Sequence, residues 1–374
     1  MTVKFKIIYI FVIFCFIIPF LSGIYINVSY ATLKIQPDIN SKIPLIYVND
    51  AIISPSEDII TPLPEQTPPV ITPTPPQSTP TPEPSAPTYV SSDKNVIIAV
   101  FNKELNEVVD MRLDEYLISV VAAEMPATFE QEALNAQAIA ARTFTIKHMS
   151  GSCSSNSKAK VCTYYGCCQA YVSPERMKKN WGAQYEEKYA KITQAVYSTD
   201  SIIMTYNNEP ITVFYYSTSN GKTEACQDVF VKNLPYYKSV ESTGEESAPN
   251  FKSYVKISTQ EFVNVLNSQF NANVTTSNVK NSITLERSSG GRVKTFIVNG
   301  ISVKGTKIRT AFGLRSTDFT LTFNDDYVQI DVCGNGHGVG MSQYGANYMA
   351  SNDKNFEEIL KHYYIGVTLE SHGK

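Results

Sequence analysis

Twelve of the chain's twenty prolines fall between residues 54 and 87, most of them in the run TPLPEQTPPVITPTPPQSTPTPEPSAP. Such a segment lacks the apolar side chains to bury a core and the free amides to build helix or sheet. It extends as polyproline II and acts as a semi-rigid spacer. A docking tract for SH3-type modules has the same composition, but a stalk explains it without a partner. The 374-residue chain is thereby cut into three parts: 1–31, a linker over 32–88, and a globular remainder over 89–374.

Ahead of the spacer, Lys4 and Lys6 precede IIYIFVIFCFIIPFLSGIYINV, residues 7–28, which carries no charged side chain and is long enough to cross a bilayer as a helix. Ser29-Tyr30-Ala31 is an acceptable small-residue cleavage site, so a signal peptide competes with an uncleaved anchor. The length of the run favours the anchor, and the flanking lysines then leave the remainder outside the cytoplasm at the cell membrane.

The globular part mixes its periods. Residues 96–101 and 107–111 read as strands, 113–123 as a helix, and 128–147 as a second helix opened by a capping-box pattern of Thr128 with Gln131. Further strands are expected over 202–206, 211–216, 283–285, 293–298 and 320–331, and further helices over 174–198, 259–269 and 356–363. No regular βαβ rhythm connects them, so the expected class is α+β, a mixed-sheet globular extracytoplasmic domain with a helical catalytic segment. A formal charge of −3 leaves no basic footprint for nucleic acid.

Chemistry-bearing residues concentrate in two places. On the first helix Leu117, Val120, Val121 and Glu124 sit at i, i+3, i+4 and i+7, which puts the carboxyl group on the apolar stripe. Burial raises a carboxyl pKa, and an acid that keeps its proton near neutral pH suits general-acid chemistry on an ether or glycosidic oxygen. Pro126 stops the helix just beyond, leaving Glu124 at a terminus facing a cleft. The plainer alternative is a structural ion pair with Arg142 on the next helix. That helix has a smooth side of Ala133, Ala136, Ala138, Ala140 and Ala141, with Gln137 and Arg142 as its polar exceptions.

The second place is GNGHGVGMSQYGANYMA, residues 334–350. Gly334, Gly336, Gly338 and Gly340 alternate and make room for a close approach to backbone, after which MSQYGANYMA turns helical. No lysine stands at the P-loop spacing, so nucleotide binding is rejected. His337, Ser342, Gln343 and Tyr344 offer hydrogen bonds and a ring face to a sugar. Spacing alone also permits a triad of Ser342, His337 and Asp331, without a nucleophile elbow to support it.

Together, AEMPATFEQEALNAQAIAARTF from Ala123, FYYSTSNGKTEAC from Phe214, NLPYYKSVES from Asn233, RTAFGLRST from Arg309 and GHGVGMSQYGA from Gly336 resemble the stage II sporulation protein D family, over about 89–368. The resemblance implies a peptidoglycan lytic transglycosylase of endospore formation, acting during engulfment on glycan strands stripped of their stem peptides. It places the catalytic glutamate at Glu124. It assigns Gln137, Arg142, Tyr215, Ser217, Ser219, Gly221, His337, Ser342, Gln343 and Tyr344 to substrate binding or catalytic support. Strand alternation requires that one of Tyr215 and Tyr216 serve packing instead. Stage II sporulation protein P, an amidase, and stage II sporulation protein M, a membrane scaffold, are the implied partners. The alternative is a non-catalytic glycan-binding enhancer of a cell-wall amidase.

Four of the seven cysteines, Cys153, Cys162, Cys167 and Cys168, lie close together with His148 shortly before them. Thiolates beside an imidazole suit tetrahedral zinc, whereas two disulfides are the alternative outside the cytoplasm. The family often has His-Cys-Gln where this chain has Cys167-Cys168-Gln169, and clostridial relatives can bind zinc there. Thiolate can replace imidazole at zinc, so the expectation is a structural zinc ion on Cys162, Cys167 and Cys168, with His148 or Cys153 completing the set.

Overall fold

The computed structural model describes residues 92–230 and 233–372. The apolar run at 7–28 and the proline tract lie outside them. Among the described residues no helix is long and apolar enough to cross a membrane.

The fold is α+β with several small sheets rather than one large one. Its centre is the helix Gln131–His148, packed against the helices Leu113–Glu124, Tyr185–Ser198, Gln343–Ser351 and Phe356–Tyr363 and the strand Ile202–Tyr206. The alanine side makes this possible, because all five of those alanines are fully buried and let neighbouring backbones come close. The helix begins at Gln131 without a side-chain cap, so the Thr128 capping box does not form. Its entry is fixed from outside instead, by Asn347 Oδ1 accepting from the Glu130 amide at 2.7 Å.

The preceding helix ends at Glu124 because Met125, standing before Pro126, is forced into an extended conformation with φ −125° and ψ 142°. The strands Ile97–Asn102 and Glu107–Arg112 pair antiparallel beside it, and Val161–Cys162 adds in parallel to Ile97–Asn102. Arg142 does not meet Glu124. It is fully buried and paired with Asp93 at 2.7 Å, and it also donates to Thr199 Oγ1 and to the Val196 and Ile202 carbonyls. It braces the back of the core, which removes it from the expected substrate groove.

Three expected elements are broken, each for a visible reason. The helix expected over 174–198 is two, Pro174–Trp181 and Tyr185–Ser198, divided at Gly182, where φ is +51°. The strand expected over 211–216 is reduced to Tyr215–Tyr216, because the Thr212 and Phe214 amides donate to the hydroxyls of Tyr236 and Tyr237 rather than to a ladder. The run 320–331 is a hairpin of Asp318–Phe323 and Tyr327–Cys333.

Residues 252–333 form a module that the sequence reading did not separate. Lys252–Ser258 pairs with Tyr327–Cys333, and Ile283–Arg287, Val293–Val298 and Ile301–Lys304 make a second sheet. Phe262, Phe296, Phe319, Val328 and Ile330 give this module a core of its own.

Candidate active site

Glu124 stands at the C-terminal end of its helix, partly accessible at the edge of the main core. Oε1 accepts from the Ala170 amide at 2.7 Å and lies 3.3 Å from the Tyr215 hydroxyl, while Oε2 accepts from Gln343 Nε2 at 3.3 Å. Burial lifts its pKa above the ordinary carboxyl range, and the Ala170, Gln343 and Tyr215 donors offset part of that rise. Tyr215 has one proton to give, and its shorter contact, 2.9 Å, is to Gln169 Oε1. Assigning the proton there leaves the phenol oxygen free to accept from a protonated Glu124.

Three distant segments converge to make this cluster. Met341–Ser342 lies parallel to Tyr215–Tyr216, which sets Gln343 and Tyr344 beside Tyr215. Thr218 bridges to Asn335 and Glu224 to Val339, so the glycine loop is zipped along the 214–224 segment. Two of its glycines are demanded by that contact. A Cβ on Gly340 would strike the Phe214 carbonyl, and one on Gly338 would meet the Arg292 guanidinium at 2.7 Å; both residues have positive φ. The glycines thus serve a neighbouring backbone and side chain.

The expected site residues divide into two groups. Gln137 lies fully buried next to Glu124, with Oε1 accepting from Gln343 Nε2 at 3.4 Å and Nε2 without a partner. Tyr344 is half-buried, edge-on to Phe129 at 4.9 Å, and its amide donates to the Ser217 carbonyl. Tyr215, Gln343 and, through Gln343, Gln137 gather at Glu124, whereas Tyr344 lies against Phe129. Tyr216, on the opposite side of its strand, packs against His337 and Arg292.

Ser342 and Ser219 are spent on structure. Ser342 donates to Glu245 at 2.6 Å and caps the last long motif helix through Gly345, while the Ser219 amide donates to Glu245 at 2.7 Å and its hydroxyl to the Lys222 carbonyl. Gly221 pairs with Ser242 in a short sheet. His337 Nδ1 accepts from the Val339 amide, and burial, with the charges of Arg309 and Arg292, holds the ring neutral down to about 3. No hydrogen bond joins Ser342 to His337, so the triad is not assembled. Glu245 and Gln169 carried no signal as separate site candidates; Gln169 stands out only once its contact with Tyr215 is seen.

Directly upstream of Gln169, the Sγ atoms of Cys153, Cys162, Cys167 and Cys168 lie within 4.8 Å of one another, all as free cysteines. The separations 153–167, 153–168 and 167–168 are 3.4, 3.8 and 3.7 Å. A tetrahedral zinc ion with bonds of about 2.3 Å sets its sulfurs about 3.8 Å apart, so the four thiols fit that ion. The Cys168 thiol against it lowers Cys162 to about 5, which favours a thiolate in the cluster. His148 is outside the group, stacked on Phe144 at 4.0 Å with Nδ1 at the Phe144 carbonyl. Cys153 stands in the fourth position instead.

The sequence profile of a family described as Stage II sporulation protein matches residues 101–206. The chain is 42% identical to Stage II sporulation protein D of Bacillus subtilis (strain 168) over 275 residues, 73% of this chain and 79% of that protein. It is 40% identical to Stage II sporulation protein D of Bacillus amyloliquefaciens, covering 73% and 78%. A more distant relative, Amidase enhancer of Bacillus subtilis (strain 168), is 25% identical over 68% of this chain and 40% of its own.

Proposed function

Given that the chain belongs to the stage II sporulation protein D family, we propose that it is a lytic transglycosylase that cuts peptidoglycan glycan strands with Glu124 as its acid and base. Membership gives the chain a sporulation-related cell-wall function; the reaction is our reading. The observation that carries it is a single partly buried carboxyl with a raised pKa, held by one short and two long contacts.

In this reading the protonated Glu124 gives its proton to the oxygen between N-acetylmuramic acid and N-acetylglucosamine as that bond breaks. The carboxylate then takes the proton of the muramoyl C6 hydroxyl, whose oxygen closes on C1 to form the 1,6-anhydro ring. Protons balance, no water is consumed, and Glu124 ends protonated. One carboxyl suffices because the substrate supplies the nucleophile, unlike the paired carboxylates of ordinary glycosidases. In agreement, no second carboxylate among the described residues is hydrogen-bonded to Tyr215, Gln169, Gln343 or Gln137. The Ala170 amide positions the carboxyl group, the Tyr215 oxygen lies within hydrogen-bond reach of it, and Gln343 bridges it to Gln137.

Cys153, Cys162, Cys167 and Cys168 would hold a zinc ion whose chemistry is structural: four thiolates close the coordination shell and pin the segment that carries Gln169 and Ala170. An N-terminal anchor, an extracytoplasmic location between mother cell and forespore, and cooperation with stage II sporulation proteins P and M complete the proposal.

The test is mass spectrometry of peptide-free glycan treated with the full chain and with Glu124→Gln. Anhydromuramoyl ends from the parent alone support the reading. The similarity to an amidase enhancer motivates the rival: no ends from either chain, with a partner amidase accelerated by both, would replace the enzyme with an enhancer.

A further inference from the structure

We propose that the helix Pro174–Trp181, with the aromatic file that continues from it, is a second glycan-binding arm that grips a peptide-free, anionic stretch of strand away from the bond being cut. This rests on the reading of the chain as an enzyme of glycan strands.

Arg176, Lys178 and Lys179 are exposed on this short helix, which is anchored by the buried Met177, and none of the three makes an ion pair among the described residues. By contrast, Lys361 on the helix Phe356–Tyr363 meets Glu357 one turn away at 2.5 Å. The one carboxylate of the helix, Glu175, is drawn to its own backbone amide and to Ser173, which hold its pKa below the usual range. On the next helix Glu186 and Glu187 balance Lys188 and Lys191, so the net positive charge lies on the first of the two.

At the end of the basic helix stands Trp181, the only tryptophan of the chain. It is followed by Tyr185 at 6.2 Å and then Tyr189, stacked on Tyr185 at 5.3 Å and 27°. All three rings are half-buried, forming a file at i, i+4 and i+8.

The occupant follows from chemistry and position. Removing a stem peptide leaves a free lactyl carboxylate on a muramoyl residue, and pyranose rings present apolar faces; unpaired cations beside aromatic rings complement both. The arm is also continuous with the Glu124 cluster. Ala170 touches Glu124, Tyr171 stacks on Tyr116, and Pro174 follows Ala170 by only four residues, at most about 14 Å of chain.

The test uses the full chain carrying Glu124→Gln, so that strands are bound without being consumed. Added to it are either Arg176→Gln, Lys178→Gln and Lys179→Gln together, or Trp181→Ala with Tyr185→Ala. Ligands are peptide-free glycan strands, chitin oligosaccharides of matched length, which lack the lactyl carboxylate, and anionic phospholipid vesicles. The charge variant should bind peptide-free strands about tenfold more weakly, with a flatter salt dependence, and bind chitin unchanged. The ring variant should weaken both sugars. The three Gln changes are at exposed positions and leave folding intact, so unchanged strand binding by that variant overturns the proposal whatever the ring variant does. A loss seen on vesicles and not on strands overturns it in favour of a lipid surface. Failure of the parent to form anhydro ends would sink the catalytic reading while strand binding by the arm is still measured.

Discussion

Glu124, partly buried, and Glu245, fully buried, are both carboxyl groups whose pKa burial pushes upward. What surrounds them differs. Glu245 is wrapped by the hydroxyls of Ser242 and Ser342 at 2.6 Å each and the Ser219 amide at 2.7 Å, with 2% of its surface exposed. Glu124 has one bond of 2.7 Å, two contacts of 3.3 Å, and an open side. A carboxylate used to tie segments together is saturated with short bonds. In the proposed reading, Glu124 exchanges a proton with its ligand, and it is held in place yet left incompletely satisfied.

The largest expected effect tests that contrast directly. Glu124→Gln should reduce anhydromuramoyl product by about a thousandfold without lowering the thermal midpoint. A midpoint that falls as far as in a Glu245 variant would erase the distinction. Next in size, Arg142→Met leaves buried Asp93 with His372 as its remaining side-chain partner and should cost about 4 kcal/mol in urea unfolding. An unchanged midpoint would mean that the Asp93 pair does not brace the core. Glu245→Ala removes the shared acceptor of two buried hydroxyls and an amide and should cost about 3 kcal/mol, with residual activity tracking the folded fraction. If activity vanished while the fold survived, Glu245 would belong with Glu124.

Smaller effects sharpen the picture. Tyr215→Phe should slow product formation by about tenfold and displace the high-pH limb of the rate profile, because a proton partner of Glu124 is gone. An identical profile would leave Tyr215 a packing residue. The last effect is on stability alone. The folded pKa of Glu124 lies above its unfolded one, so within that window the folded chain holds a proton that the unfolded chain has released, and stability falls as pH rises. Glu124→Gln removes this slope. Its midpoint should match the parent below about pH 4 and exceed it at neutral pH; equal midpoints throughout would argue against a raised pKa.

Much of this was legible where one residue type dictates local geometry. Pro126 set the helix end that presents Glu124, and the alanines of 133–141 announced a crowded helix. The short apolar-rich runs at 202–206 and 293–298 match the observed strands in their bounds. What the sequence hid depends on pairs far apart in the chain. Nothing local tells that Arg142 belongs to Asp93, that tyrosine hydroxyls at 236 and 237 take the amides of an expected strand, or that Cys153 rather than His148 joins the thiol group. The separate core of 252–333 was missed because Lys252–Ser258 alternates half-buried and exposed positions with little apolar emphasis.

The pairing of Met341–Ser342 with Tyr215–Tyr216 also governs when the cleft comes into being. Glu124 and Gln343 are 219 positions apart, and the strand that brings Gln343 to Tyr215 is among the last elements of the chain. Contacts so remote in sequence close late, after the loop entropy of everything between them has been overcome. A chain emerging from its N-terminus therefore carries Glu124, Ala170 and Tyr215 well before it carries Gln343. In the proposed reading, the cleft is complete only when Gln343 has joined Ala170 and Tyr215 at Glu124.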